Sequence, residues 1–557
     1  MTFSTTLLAA PVQEAYLKAS NAGAGDTFGY SVAISGNTAV VGAYQEDSVS
    51  AGVNGDQADN GANAAGAAYV FVRSGTTWTQ QAYLKASHAA NLDSFGCSVA
   101  ISGETIVVGA RGESSCAEGV DGDESIDNCR AAGAAYVFVR SGTSWSQQAY
   151  LKASNTGRND NFGHSVAIFG NRIVVGSPWE ASANGSQADD SLWAAGAAYV
   201  FSRTDANWTQ EAYLKPKDTG TGDRFGDRFG EAVGISGSYI VVGAPEEDGS
   251  ATVINGDETD NSATGAGAAY VFFHDGTSWS QQAYLKPANA GSGDLFGAAV
   301  AIENATVVVG APFEDGGATS INGISNDDLA NAGAAYVFVR NASDWTQQAY
   351  LKADNAGAYD RFGYSVGLSG ETALVGAPYE ASSATGVNGN GTIDPMGAAG
   401  AAYLFRRSGS TWVADAYLKA SNTGSGDNFG LPVAISGEVA LVSSAYESSS
   451  TTTINGDADD DSAVGSGAVY AFRGLATVSA SPIRIERVAK FDNSMTVSFT
   501  ATAGLTDWIV SGSAHLQGWP DDLTPASVIS ELSFGSYQAV VDVTGKDPKG
   551  YFLRIGR

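Results

Sequence analysis

The chain is 557 residues long and carries 59 acidic residues against 29 Lys and Arg, a formal net charge of −30. That balance argues against nucleic acid as a partner, because phosphate binding needs clustered Lys and Arg. The 43% hydrophobic content argues against global disorder, and no apolar run approaches the ~20 residues that insertion across a membrane as a helix requires.

Residues 1–10 form a short tail whose small apolar patch fits the remnant of an export signal, although it has no basic segment before that patch. A repeat follows. The tetrapeptide Ala-Tyr-Leu-Lys begins at Ala15, Ala82, Ala149, Ala212, Ala283, Ala349 and Ala416, at spacings of 67, 67, 63, 71, 66 and 67. A period that steady signals a repeat architecture. Each unit reads as four strands. In the first these are Ser31 to Ser35, Thr38 to Ala43, Gly66 to Arg73 and Trp78 to Ala86. Ser35-Gly36-Asn37-Thr38 makes a tight turn, and a loop of about 22 residues separates the second strand from the third. The two central strands are almost continuously apolar, which predicts a sheet covered on both faces, as in a blade between two blades. The four residues missing from the third unit fall in its long loop. The four added before the fourth unit, where Asp223-Arg-Phe-Gly is followed by Asp227-Arg-Phe-Gly, also fall in a loop.

The ends of the array close it. The first Ala-Tyr-Leu-Lys strand precedes any complete unit, and the last third-type strand, Gly467 to Arg473, is followed by none. The N-terminal strand can therefore complete the final blade. The expectation is an all-β chain: a seven-bladed β-propeller over 11–473, a linker over 474–482, and an immunoglobulin- or fibronectin-like β-sandwich over 483–557.

Phe-Gly recurs at Phe28, Phe95, Phe162, Phe229, Phe296, Phe362 and Phe429. Gly-Ala-Pro stands intact at Gly243, Gly310 and Gly376, altered at Gly42, Gly109 and Gly176, and lost at Ser443-Ser444-Ala445. These elements resemble the FG-GAP repeats of bacterial extracellular proteins, related to the propeller of the integrin α-subunit. The resemblance implies an extracellular binding or adhesion role. It does not carry over the integrin calcium ligands, because the connection that holds them is here a tight turn such as Ser102-Gly103-Glu104-Thr105.

Candidate chemistry gathers on one face, where the loop before the first strand and the loop after the second both emerge. The long loops repeat an acidic run, at Asn54, Asp56 and Asp59; Asp121, Asp123 and Asp127; Asn255, Asp257 and Asp260; and Asn455, Asp457 and Asp459. Alternating oxygen donors around a glycine suit Ca²⁺, and the same pattern suits turns with solvated carboxylates. Glu46, Glu113, Glu246 and Glu447 upstream are candidate further ligands. The aspartates before Phe-Gly (Asp26, Asp93, Asp427) could ligate or cap a turn. Cys116 and Cys129 share one long loop, and a disulfide between them would place the chain in an oxidising compartment.

The residues following Phe-Gly (Tyr30, Cys97, His164, Glu231, Ala298, Tyr364, Leu431) could line a central channel. No nucleophile–base pair is evident among the four histidines, His88, His164, His274 and His515. The tryptophans opening the fourth strands, Trp78 to Trp412, either pack on the neighbouring strand or stack sugars. Each Ala-Tyr-Leu-Lys lysine is expected to reach water at the outer edge. Together these features predict a secreted or surface-bound, monomeric, non-enzymatic scaffold whose acidic face binds a protein or glycan ligand and calcium. A carbohydrate-active enzyme and a multivalent propeller lectin are the alternatives.

Overall fold

The computed structural model describes residues 10–475 apart from 183–185, 218–225 and 325; beyond 475 it describes only the backbone of strands between 484 and 556. Residues 1–476 and 477–557 are separate units. In the second unit Arg484–Phe491 pairs antiparallel with Ser494–Thr500, and Ile509–Ser513 with Phe552–Gly556. The expectation of a sandwich there, like that of the tail over 1–9 and of the first Asp-Arg-Phe copy at 223–225, falls outside the described residues.

Short β-branched runs set the strands of the first unit. In the first blade Ser31–Ser35, Thr38–Ala43, Ala67–Ser74 and Thr77–Leu84 pair in chain order as an antiparallel sheet. The two-residue hairpin after Ser35 puts Gly36 at φ +57°, a conformation glycine adopts without steric cost. Five more sheets repeat this order, and the seventh differs. Val12–Leu17 pairs with Ala468–Arg473, placing Tyr16 opposite Tyr470, so the chain's first strand is the last blade's fourth. The ring of seven four-stranded blades is closed by both ends of the repeat array.

The apolar core lies between blades. Among the described residues seven buried clusters occur, each drawn from two successive blades; one joins Phe28, Val41 and Tyr69 of the first blade to Leu441 and Val469 of the last. The phenylalanine of Phe-Gly plugs each seam. Phe28 is fully buried and meets Tyr69 and Phe71 edge-on, with ring centroids 5.3 and 5.9 Å away. Burying such a ring contributes about 1.5–3 kcal/mol.

The glycines of the motif let backbones touch across that seam. A Cβ on Gly42 would lie 2.0 Å from the Gly96 carbonyl oxygen of the next blade, and one on Gly66 would lie 2.0 Å from the Phe95 oxygen. The Ser31 hydroxyl donates to the same Gly96 oxygen at 2.7 Å. In the last blade, where Pro432 replaces that serine and Ser443 replaces the glycine, the Ser443 hydroxyl donates to the Gly29 oxygen at 2.5 Å. The donor has moved to the adjacent strand, and the bond across the seam persists despite the lost Gly-Ala-Pro.

Candidate functional site

The lysines do not reach water, which corrects the expectation from sequence. Lys85 is fully buried and ion-paired to Glu46 at 3.0 Å, and the Tyr83 hydroxyl donates to the other oxygen of that carboxylate at 2.9 Å. Burial pushes the Lys85 ammonium down from its ordinary value, and Glu46 opposes that shift. The arrangement recurs in all seven blades: Lys152 with Glu113, Lys215 with Glu180, Lys286 with Glu247, Lys352 with Glu314, Lys419 with Glu380, and Lys18 with Glu447. Its cause is register. Each glutamate stands four residues after the next-to-last residue of the second strand, a glycine in six blades and Ser443 in the last, and Tyr and Lys on the fourth strand face it across the blade.

Three of the upstream glutamates named from sequence, Glu46, Glu113 and Glu447, thus hold buried lysines. In the fourth case the register is one residue off: Glu247 takes the buried position, while Glu246 lies beside Arg228 at 3.4 Å. Glu180, Glu314 and Glu380 were missed, although the fixed distance from the preceding glycine marks them.

The first residue of each acidic run is also engaged. Asn54, Asp121, Asn255 and Asn455 adopt φ of 54–56°, in the left-handed region that Asn and Asp tolerate. Their side-chain oxygens accept the backbone N–H of Tyr83, Tyr150, Tyr284 and Tyr16 at 2.8–3.0 Å. Their own N–H groups donate back to the same tyrosines' carbonyls at 2.8 Å. This two-point clip ties each long loop to the outer strand. Asp56, Asp123, Asp257 and Asp457 accept the N–H two residues on, at 2.9–3.1 Å, and remain exposed. Asp59 and Asp260 close similar turns; Asp127 and Asp459 face solvent.

Among the described residues no group of three or more His, Cys, Asp or Glu is placed to hold a metal. The oxygens still free for a cation are those of the exposed loop aspartates. The aspartates before Phe-Gly cap turns: Gly23 donates its N–H to Asp26 at 2.8 Å, and Ala90 donates to Asp93 at 2.8 Å. Cys116 and Cys129 form a disulfide that cross-links the long loop of the second blade.

The tryptophans pack. Trp78, Trp145, Trp208, Trp345 and Trp412 are buried, and each indole N–H donates to a Glu or Gln of the preceding outer strand, as Trp145 does to Gln81 at 2.9 Å. Their faces are closed to sugars.

At the centre the seven side chains after Phe-Gly (Tyr30, Cys97, His164, Glu231, Ala298, Tyr364 and Leu431) all line one funnel of about 600 Å³, as expected from sequence. Sequence reading missed the arginines. Arg111 lies over Tyr30 and Tyr44 (5.9 and 5.5 Å to the ring centroids), Arg228 over Trp179 (4.7 Å) and Arg361 over Phe313 and Tyr379 (4.6 and 4.3 Å). They come from the second, fourth and sixth blades. His164 lies 3.2 Å from Glu231. Burial pushes the Glu231 carboxyl up, but His164, with Arg228 and Arg111 behind it, holds it below its ordinary value. Burial pushes the Cys97 thiol up from its ordinary value, which disfavours the thiolate.

A closed seven-bladed propeller with a paired blade interior and an open funnel defines a repeat protein of the propeller class. The sequence pattern of the FG-GAP repeat matches residues 11–71, 78–138, 145–201, 208–272, 279–338, 345–405 and 412–472. The chain belongs to the FG-GAP repeat family. Each matched segment starts on the fourth strand of one blade and ends on the third strand of the next, so the sequence repeat is offset from the blade by one strand. No curated protein matches the chain.

Proposed function

We propose that the chain is an exported, monomeric, non-enzymatic binding or adhesion scaffold whose long-loop face contacts a protein or glycan ligand and is ordered by calcium. One observation carries this reading. The lysines and glutamates inside the blades are paired with one another, whereas the loop aspartates and the funnel aromatics face solvent together on a single face. Rigid strands that present variable loops are a common basis for recognition. The Cys116–Cys129 disulfide supports an oxidising, extracytoplasmic setting.

The calcium component rests on the exposed and half-exposed loop aspartates, sampled by Asp56 with Asp59 and Asp257 with Asp260, because the Asn, Asp121 and Glu oxygens first considered are engaged within the fold. A cation bound to the folded loops alone raises the melting temperature by linkage. The test is thermal unfolding in chelator and in millimolar Ca²⁺, for the full chain and for a variant with these four aspartates changed to Ser. A calcium-dependent rise that the variant loses is the expected result; no rise removes calcium from the function. Turnover of any member of a polysaccharide panel would overturn the non-enzymatic reading.

A further inference from the structure

The central funnel differs from the Lys–Glu–Tyr clusters of the blades in leaving some of its polar groups unpaired, although His164 meets Glu231 and Arg228 meets Glu246 there. Every tyrosine hydroxyl on the seven Ala-Tyr-Leu-Lys strands donates to a carboxylate, from Tyr16 on Glu447 at 2.8 Å to Tyr417 on Glu380 at 2.9 Å. Around the funnel the hydroxyls of Tyr44, Tyr364, Tyr379 and Tyr446 make no hydrogen bond within the described residues, and Tyr364 and Tyr446 are 36% and 41% exposed.

Charge follows the same division. The blade lysines are each matched to a glutamate, and Arg228 has Glu246, but no carboxylate of the described residues lies within ion-pair distance of Arg111 or Arg361. In a chain with twice as many acids as bases, the unmatched Arg111 lines the cavity alongside the paired Arg228 and Glu246, and Arg361 stacks on two of the lining rings, Phe313 and Tyr379. Aromatic rings lie beneath both guanidiniums, and a guanidinium fork is suited to a planar carboxylate or a tetrahedral sulfate.

We infer that the funnel binds an anionic sugar unit of a glycan, its carboxylate or sulfate held by Arg111 or Arg361 and its ring hydroxyls met by the tyrosines. A volume of about 600 Å³ falls within the range of small-ligand sites. Flat aromatic walls and hydroxyl donors match the two kinds of surface a pyranose presents, its C–H face and its hydroxyl edge. Beside the funnel, Trp179 lies under the lining Arg228 and packs 4.6 Å from the half-exposed Trp193. The inference rests on the long-loop face being the contact surface, and it assigns the ligand class to the centre of that face.

The test is calorimetric titration of the full chain with four probes: a uronic-acid trisaccharide, its carboxyl-reduced neutral counterpart, a sulfated trisaccharide and an oligo-aspartate peptide. At least one anionic sugar is expected to bind, with the neutral sugar and the peptide at least tenfold weaker; which anion binds tighter distinguishes carboxylate from sulfate. Arg361→Gln and Arg111→Gln should each weaken binding about tenfold, and Arg361→Lys by less, because it keeps the charge and loses the fork. Tyr446→Ala, at an exposed position, should weaken binding severalfold without moving the melting temperature. Equal binding of the neutral sugar, tighter binding of the peptide, affinity unchanged in the Arg111→Gln, Arg361→Gln double variant, or no binding of either anionic sugar would each overturn the inference. The calcium-dependent thermal shift is independent of the funnel variants, so failure here is distinguishable from failure of the scaffold reading.

Discussion

The blade interiors and the central funnel are built from the same seven repeats but follow different rules. In the interiors every blade presents the same Lys, Glu and Tyr in one geometry, and every charge is matched. In the funnel the seven equivalent positions hold Tyr, Cys, His, Glu, Ala, Tyr and Leu, and among the described residues Arg111 has no carboxylate within ion-pair distance. A buried ionic group tolerates little change, because an unmatched charge away from water costs several kcal/mol. A solvent-filled funnel imposes no such constraint, so its composition is free to answer to a ligand. Repetition marks what holds the ring together, and divergence marks where we propose it meets a ligand.

The largest break in that comparison would come from the chain's beginning. Deleting residues 1–19 removes the last blade's fourth strand, leaves Glu447 without Lys18 and Tyr16, and takes Glu14 from Arg73 and Trp78. The ring should lose cooperative unfolding altogether, measured by urea titration followed by circular dichroism. A truncated chain with the original midpoint would show that closure contributes nothing.

Glu113→Ala should come next, costing about 3–5 kcal/mol in the same titration because it leaves Lys152 buried without its carboxylate. The Glu113→Gln, Lys152→Met pair should cost less than the two single changes added together. Strict additivity would mean the two groups do not act as a unit.

Acid should stabilise the seams. Burial raises Asp93, Asp160 and Asp294 to about 7, and Asp26, Asp360 and Asp427 to about 6, from an ordinary 3.8. The folded chain therefore retains protons that the unfolded chain has released. Their stabilisation is complete below about pH 4 and is lost as the pH rises through 6 to 7. The melting temperature should fall from pH 5 to pH 8, and Asp93→Asn should flatten that slope. A melting temperature that rises over this range would contradict the protonated state of these caps.

The smallest effects belong to single outer contacts. Trp145→Phe loses the hydrogen bond to Gln81 and should cost about 1 kcal/mol. Asp123→Ala, at an exposed turn, should stay within about 0.5 kcal/mol of the parent by chemical denaturation. A larger loss at Asp123 would place that loop among the elements that hold the fold.

The seven blades, the strand limits of the first blade to within two residues and the closing role of the first strand were all legible in the sequence, because a strand's period and a repeat's remainder are properties of the chain alone. The channel-lining set followed from repeat equivalence for the same reason. The fate of the charges was not legible. Whether Lys85 reaches water or Glu46 depends on whether the fourth strand's inner face lies against the neighbouring long loop, and residues 46 and 85 meet only when the sheet folds. Asn54 likewise looks like a ligand in a row of oxygens until the left-handed turn points its oxygen at the Tyr83 amide. Local propensity and periodicity fixed the ring. Long-range register alone decided which carboxylates were closed inside it, and so which groups remained exposed at the centre.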